Sequence, residues 1–354
     1  MKIRPVRVLA VTNMYPTPVD TVYGCFVASQ IESVRRAGID VQVEFIDGRR
    51  NRFQYGLGIQ KVRRLALSGR FDLVHAHYGL TGFVASFQPL PLVVSFCGDD
   101  LLGTPARKGG LTSKSRVVRA LSHVAARRAH GIICKSDELR AALPRVVDRE
   151  RAHVLPNGVD INRFSPGDRS VARARLGLKA DETVVIFPGT PNERRKRLDL
   201  AQAAIRELAV RGIMAKLWVV TGVPHGEMPD YYRAADALLL TSDWEGSPNV
   251  VKEALCCNLP VVSVAAGDVR RWFGLVTGCV LVERRPSAIA EGLRRVLVSS
   301  KQIDGSNVRS ELDSARIAGD IIRVYKEVIF RHQRLSDHRA GKRVAEPNTP
   351  FSVE

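Results

Sequence analysis

One alternation governs this sequence. A short apolar run is followed by a loop, then by a stretch with helical spacing closed by glycine, then by another apolar run. "VRVLAVTN" ends in a polar loop, and "FVASQIESVRRAG" keeps helical spacing up to Gly38. "DVQVEFID" reads as a strand and "GIQKVRRLALSG" as a helix closed by Gly69. "DLVHAH" and "PLVVSFC" are strands again, "SRVVRALSHVAARRAHG" is a basic amphipathic helix, and "GIICKS" and "AHVLP" are strands. Short apolar strands joined by helices predict a parallel sheet covered on both faces.

Near residue 160 the texture changes to the turn-rich "NGVDINRFSPGDRSVARARLGLKADE". This is the natural boundary. A second series follows: "TVVIFPG", the helix "RLDLAQAAIRELAVRG", "AKLWVVTG", "ADALLLTS", a helix from Pro248, "LPVVSV", "GCVLVE" and the helix "SAIAEGLRRVLVS". With 354 residues and 45% hydrophobic content the chain can fill two cores. The expectation is an α/β protein of two doubly wound parallel-sheet domains facing across a cleft. Residues 1–163 and 164–315 form the domains, a helix over 316–335 returns toward the first, and 336–354 is a loose polar tail. Such a cleft collects the C-terminal ends of both sets of strands, where ligands bind.

Charge narrows the partners. The net charge is +18, and about +12 of it lies in residues 1–165. A basic half seeks anions such as lipid-linked phosphates or an anionic membrane surface. Nucleic acid is disfavoured, because no basic-aromatic interleaving or known binding module occurs. The six cysteines include no C-x-x-C pair and mostly lie in apolar runs, which fits reduced thiols in the cytoplasm. No run of about 18 apolar residues offers a membrane span.

The chemistry concentrates in "EGSPNVVKEAL", residues 245–255. Ser247-Pro248 fits a helix start, with Ser as N-cap and Pro at the first helical position. Glu245 then lies in the preceding loop and Glu253 more than a turn inside the helix. They do not share a face, so they serve different atoms. Gly246 admits close backbone approach, and the free N–H groups near Asn249 and Val250 form an anion site. A phosphate at a helix tip, with carboxylates accepting from hydroxyls on either side, describes a nucleotide-sugar. A capped core helix with one exposed Glu is the plainer alternative.

The whole run "AADALLLTSDWEGSPNVVKEALCCNLPVVS" resembles the retaining family 4 glycosyltransferases of GT-B fold, and the resemblance extends to about residue 330. It implies that Glu245 meets the donor sugar, Glu253 the nucleotide ribose, and residues 246–250 the diphosphate. The donor would be UDP- or GDP-linked, with no essential metal; no D-x-D occurs. In "VVIFPGTPNERRKRLDLA", Gly189 and Lys196 match the family's glycine and lysine. The family arginine is replaced by Thr190, so Arg194, or its neighbour Arg195, would supply the second cation that stabilises the leaving diphosphate. The resemblance places Gly24 beside the donor phosphate or acceptor and His77 on the acceptor side. Many relatives carry His where Cys97 stands; here backbone at Cys97-Gly98, Asp99 or Asp100 would make that contact. Asp99 and Asp100 would orient the acceptor or cap the segment that follows. "HVLPNGVDINRFSP" resembles the interdomain signature, and "LWVVTG" runs into "VPHGEMPDYYRAAD" without the helix and strand common in relatives. The implied activity is retaining transfer of a sugar to a glycan or lipid-linked acceptor in cell-surface polysaccharide or glycolipid synthesis, at the inner membrane face. A sugar-nucleotide epimerase of the same fold and a non-catalytic nucleotide-sugar-binding paralogue remain as alternatives.

Overall fold

The computed structural model describes residues 4–106, 110–299 and 303–339. Six strands form the first sheet: β1 (Arg7–Thr12), β2 (Asp40–Phe45), β3 (Leu73–His77), β4 (Leu92–Phe96), β5 (Gly131–Cys134) and β6 (Ala152–Val154). Five form the second: β7 (Val184–Pro188), β8 (Lys216–Val220), β9 (Ala237–Leu240), β10 (Val261–Val264) and β11 (Val280–Val282). All pairings between these strands are parallel. The orders are β2-β1-β3-β4-β5-β6 and β11-β10-β9-β7-β8. Both sheets therefore reverse direction at their first strand, and a crevice opens there at the strands' C-terminal ends.

The apolar runs are continuous because both faces of each sheet are buried. Along β1, Leu9 and Val11 join one core while Val8 and Ala10 join the opposite one. Along β7, Val184 and Ile186 face one core and Val185 and Phe187 the other. All eleven strands read from sequence are present. Six short helices were not read: Gly79–Ala85, Asp99–Leu102, Asp137–Ala141, Arg169–Arg175, Met228–Ala234 and Val269–Phe273. None exceeds two turns, too little to display a 3.6-residue period.

The C-terminal stretch holds two helices, Ser306–Leu312 and Ser314–Arg339, broken at Asp313. At the break, Val159 N–H donates to Leu312 O (2.7 Å) and Ser314 N–H to Val159 O (3.0 Å). Ile317, Ile321, Val324 and Val328 of the long helix bury against the first sheet beside Val8, Val27 and Ile31. The tail expected from residue 336 begins instead as helix up to Arg339, and its remainder lies outside the described residues.

Candidate active site

The crevice of the second sheet lies between the ends of β7 and β9, and Lys196 and Glu245 meet there. Gly189 follows β7 and leads to a single 3-10 turn, Arg194–Lys196. Glu245 follows β9. Across the crevice Lys196 Nζ donates to Glu245 Oε1 (2.8 Å), and Ser242 Oγ donates to the same oxygen (2.8 Å). Arg195 holds Oε2 at 2.6 Å. Burial would raise the Glu245 pKa, but Lys196 and Arg195 outweigh it and hold it below the ordinary glutamate value. The anionic form is thus fixed, with two cations beside it.

Arg194 is not part of this ion-paired cluster. Its side chain is exposed, makes no ion pair with Glu245, and lines a neighbouring cavity with Pro191, Trp244 and Arg195 itself. The second cation beside Glu245 is Arg195, whose guanidinium also donates to Trp244 O (3.0 Å). Consecutive residues of a tight turn point in different directions, and the sequence does not say which points inward.

Glu253 sits inside the helix Asn249–Cys256 with 7% exposure. Its Oε1 meets His225 Nε2 at 2.8 Å, and its Oε2 accepts from the Tyr232 hydroxyl at 2.9 Å. Between Glu245 and Glu253 lies the helix tip. Asn249 and Val250 line a cavity of about 700 Å³ together with Gly189, Thr190, Lys196, Glu253 and His225 of this domain and Asp20, Tyr23, Cys25 and Arg49 of the first.

Ser247 is not the cap. Pro248 stands at the helix boundary with no side-chain cap. The Ser247 hydroxyl instead donates to Asp268 Oδ2 (2.7 Å) and accepts from Lys252 Nζ. Lys252 is 0% exposed, and its ammonium lies 3.8 Å from Asp268 and over the Trp272 ring. A buried ammonium needs partners, and it draws Ser247 inward, pinning the Gly246–Pro248 loop to the turn after β10. Sequence reading missed Lys252, although a lysine amid the apolar positions of a core helix was its signal.

The two domains touch at Gly246. A Cβ there would lie 2.7 Å from Cys97 O and 2.8 Å from Gly98 Cα. That is how this glycine serves close approach: to the other domain's backbone. Asp100 braces the facing loop. It is fully buried and accepts from Gly98 N (2.8 Å), Cys97 N (3.1 Å) and Gly79 N (3.0 Å). Burial and the neighbouring Asp99 charge lift its pKa to about 7 against the pull of those N–H groups. The pair therefore divides: Asp100 ties strand ends together, while Asp99 is exposed and hydrogen-bonds the Tyr78 hydroxyl. Tyr78, at φ 87°, is a non-glycine residue held in the left-handed region directly after β3.

Two further expectations shift. His77 is buried at 1% exposure and lines neither of the cavities described. It shares a sheet face with His75, with ring centroids 4.1 Å apart, and His75 Nδ1 meets Tyr325 of the C-terminal helix at 2.6 Å. That helix covers the face, so burial, then nearby Lys135, push the His77 pKa down to about 3. Gly24 takes φ 74°, and a Cβ there would stand 2.3 Å from Met14 C; its backbone packs on the loop after β1. Cys97 keeps a neutral thiol, since burial raises its pKa well above the ordinary value.

The sequence profile of Glycosyltransferase Family 4 matches residues 4–163, and that of Glycosyl transferases group 1 matches residues 175–299. The chain belongs to the family 4 glycosyltransferases. Among its relatives is D-inositol 3-phosphate glycosyltransferase 1 of Catenulispora acidiphila, 31% identical over 66% of this chain and 65% of that protein. Another, TuaC of Bacillus subtilis, is named for teichuronic acid biosynthesis and is 28% identical over 63% of this chain and 61% of its own length. The matched segments thus span just under two-thirds of these relatives. In fold, the family 4 chain superposes on sucrose-phosphate synthase of Thermosynechococcus elongatus (TM-score 0.75, 17% identity, 92% of this chain and 100% of that one). It also superposes on Anabaena HepE solved with UDP-glucose (TM-score 0.64, 18% identity, 90% and 99%). These neighbours establish the two-domain GT-B architecture. Among the described residues no helix is long and apolar enough to cross a membrane.

Proposed function

We propose that the chain transfers a sugar, with retention of configuration, from a UDP- or GDP-linked donor in the interdomain cleft to an anionic glycan or lipid-linked acceptor in cell-surface polysaccharide or glycolipid synthesis. One observation carries the reading: a single cavity, lined by both domains, gathers Lys196, which is ion-paired with Glu245, the buried carboxylate of Glu253 and the helix tip at Asn249 and Val250. The cation and helix tip suit a diphosphate, Glu253 a ribose, and Glu245 beside Lys196 a sugar. Glu245 is ion-paired with Lys196 and Arg195. An arriving diphosphate competes for both cations, and the freed carboxylate accepts from sugar hydroxyls. As the glycosidic bond breaks, negative charge grows on the leaving diphosphate, which Lys196 and the helix-tip N–H groups, with Arg195 next to Lys196, would stabilise. The acceptor hydroxyl approaches on the face the diphosphate leaves. Contact of Gly246 with the Cys97–Gly98 backbone closes the cleft and excludes water. Incubation with a panel of nucleotide-sugars tests the reading. Acceptor-dependent release of nucleoside diphosphate supports it, an isomerised donor would make the chain an epimerase, and binding without turnover would make it a binding paralogue.

An anionic membrane face is the proposed setting. On the helix Gln54–Leu67 the inner side is buried, yet Phe53 (82% exposed), Leu57, Arg64 and Leu67 share the outer side, within about 80° at 100° per residue. Arg50 and Arg52 flank them, exposed. An apolar stripe edged by arginine suits an anionic lipid surface. Sedimentation with anionic and neutral liposomes at two salt concentrations decides: anionic preference lost in Phe53→Ser/Leu57→Ser supports docking, and equal binding to both lipids removes it.

A further inference from the structure

Glu253 has two protein donors, and neither is assigned a role by the donor reading. His225 stands in the short segment between β8 and the helix Met228–Ala234; Tyr232 stands on that helix. Each supplies one hydrogen bond to a different oxygen of the same carboxylate, at 2.8 Å and 2.9 Å. A carboxylate offers about four lone-pair positions. Two are taken, one on each oxygen, and one on each oxygen is left. His225 is itself held, its ring 5.0 Å from that of Phe164. His225, Tyr232 and Glu253 all line the interdomain cavity.

We infer that His225 and Tyr232 are positioning residues that turn Glu253 into a two-sided acceptor for the vicinal 2′- and 3′-hydroxyls of the nucleotide ribose, and so set a preference for ribo- over deoxyribonucleotides. The inference rests on the donor reading above. With both donors present the carboxylate cannot rotate without breaking one of them, so its free lone pairs keep a fixed spacing. Without His225, one oxygen of a buried carboxylate loses its donor. The group is then free to turn, and one ribose hydroxyl loses its acceptor. The glutamate supplies the contact; the histidine and tyrosine supply its direction.

The experiment measures dissociation constants for UDP and GDP, and for their 2′-deoxy and 3′-deoxy counterparts, on the full chain by titration calorimetry. The tighter-binding base is carried forward. Wild type prefers the ribonucleotide about tenfold or more, the worth of one hydrogen bond to a charged group. His225→Ala brings the ribo and deoxy values within about threefold of each other, mainly by weakening the ribonucleotide. His225→Gln, which restores an N–H donor, recovers most of the preference, a rescue that a purely structural role would not produce. Tyr232 is fully buried, so Tyr232→Phe is read only alongside the more exposed His225 variants. If His225→Ala leaves the ribo-to-deoxy ratio unchanged while wild type shows one, the inference is wrong and the donor reading stands. If wild type binds neither UDP nor GDP, the donor reading fails and takes the inference with it.

Discussion

Gly246→Ala tests whether the two domains act as one catalytic unit. The new methyl would stand 2.7 Å from Cys97 O and 2.8 Å from Gly98 Cα, where ordinary contact begins near 3.4 Å. Neither side can yield locally. The Cys97–Gly98 backbone is tied to buried Asp100 by three N–H donors including Gly79. The Gly246 loop is backed by Gly267, itself so close that a Cβ there would lie 2.9 Å from Gly246 O. The domains must therefore part by roughly 0.7 Å, since a backbone contact cannot rotate away as a side chain can. A displacement near 1 Å costs about 10²-fold in rate, so kcat/KM should fall roughly 30- to 100-fold, or about 2–3 kcal/mol of transition-state stabilisation. Nucleoside diphosphate affinity should hold within about threefold, because Lys196, Arg195, the helix tip and Glu253 all belong to the second domain. Steady-state kinetics, calorimetry and a thermal melt on one preparation separate these effects. A fully active variant would refute the closure argument. Parallel loss of nucleotide affinity and melting temperature would show that the methyl damages the loop and leaves domain approach untested as the cause, which equally contradicts the stated split.

Glu253→Ala should weaken nucleotide binding more than tenfold, whereas Glu245→Ala should mainly lower turnover; equal losses in both parameters would contradict the roles given. Lys252→Met leaves the Asp268 carboxylate, 7% exposed, without its countercharge, and should lower stability in denaturant titrations by about 3 kcal/mol. Adding Asp268→Asn should restore at least half of that, and no restoration would mean the pair is not the cause. Cys97→Ala should keep turnover within about threefold, because Asp100 holds the backbone there and the thiol is neutral; a drop beyond tenfold would give the sulfur a part in the chemistry. For His225, burial lowers the pKa, but the Glu253 hydrogen bond and charge outweigh it and the net shift is upward, with Arg163 and Asp160 also facing the ring. The folded state then holds the proton more tightly. The stabilisation is full below the ordinary value of about 6.5 and is lost as pH rises through the folded value. Relative to His225→Gln, wild type should lose stability across that window, and parallel pH profiles would contradict the pairing.

The sequence disclosed what repeats and what is spaced. All eleven strands were legible because each is an apolar run bounded by turn residues, and both sheets bury both faces. The spacing of Glu245 from Glu253, and Lys196 after Gly189, pointed in one dimension to residues that the fold gathers around one crevice. Direction was hidden. Arg194 and Arg195 are adjacent, and only the turn geometry shows that Arg195 faces Glu245. Ser247 looked like a cap because nothing local reveals that a buried ammonium five residues on claims its hydroxyl. His77 looked like a cleft residue because its cover, the helix carrying Tyr325, arrives some 250 residues later in the chain. His225 carries no local signature, and only its distance to Glu253 gives it a place. In each case the missing fact is a tertiary contact made by a residue remote in sequence or by a side chain's rotamer.

The central claim is that the cleft holds a nucleotide-sugar and passes its sugar on. It is tested most directly by incubating the full chain with UDP- and GDP-sugars and anionic lipid extract, and following both nucleoside diphosphate release and sugar incorporation. The expected result is equimolar release and incorporation with one donor, dependent on acceptor and reduced at least a hundredfold in Lys196→Ala, the loss of a charged contact to the leaving group. Binding of no nucleotide-sugar, or turnover unaffected by Lys196→Ala, would contradict it.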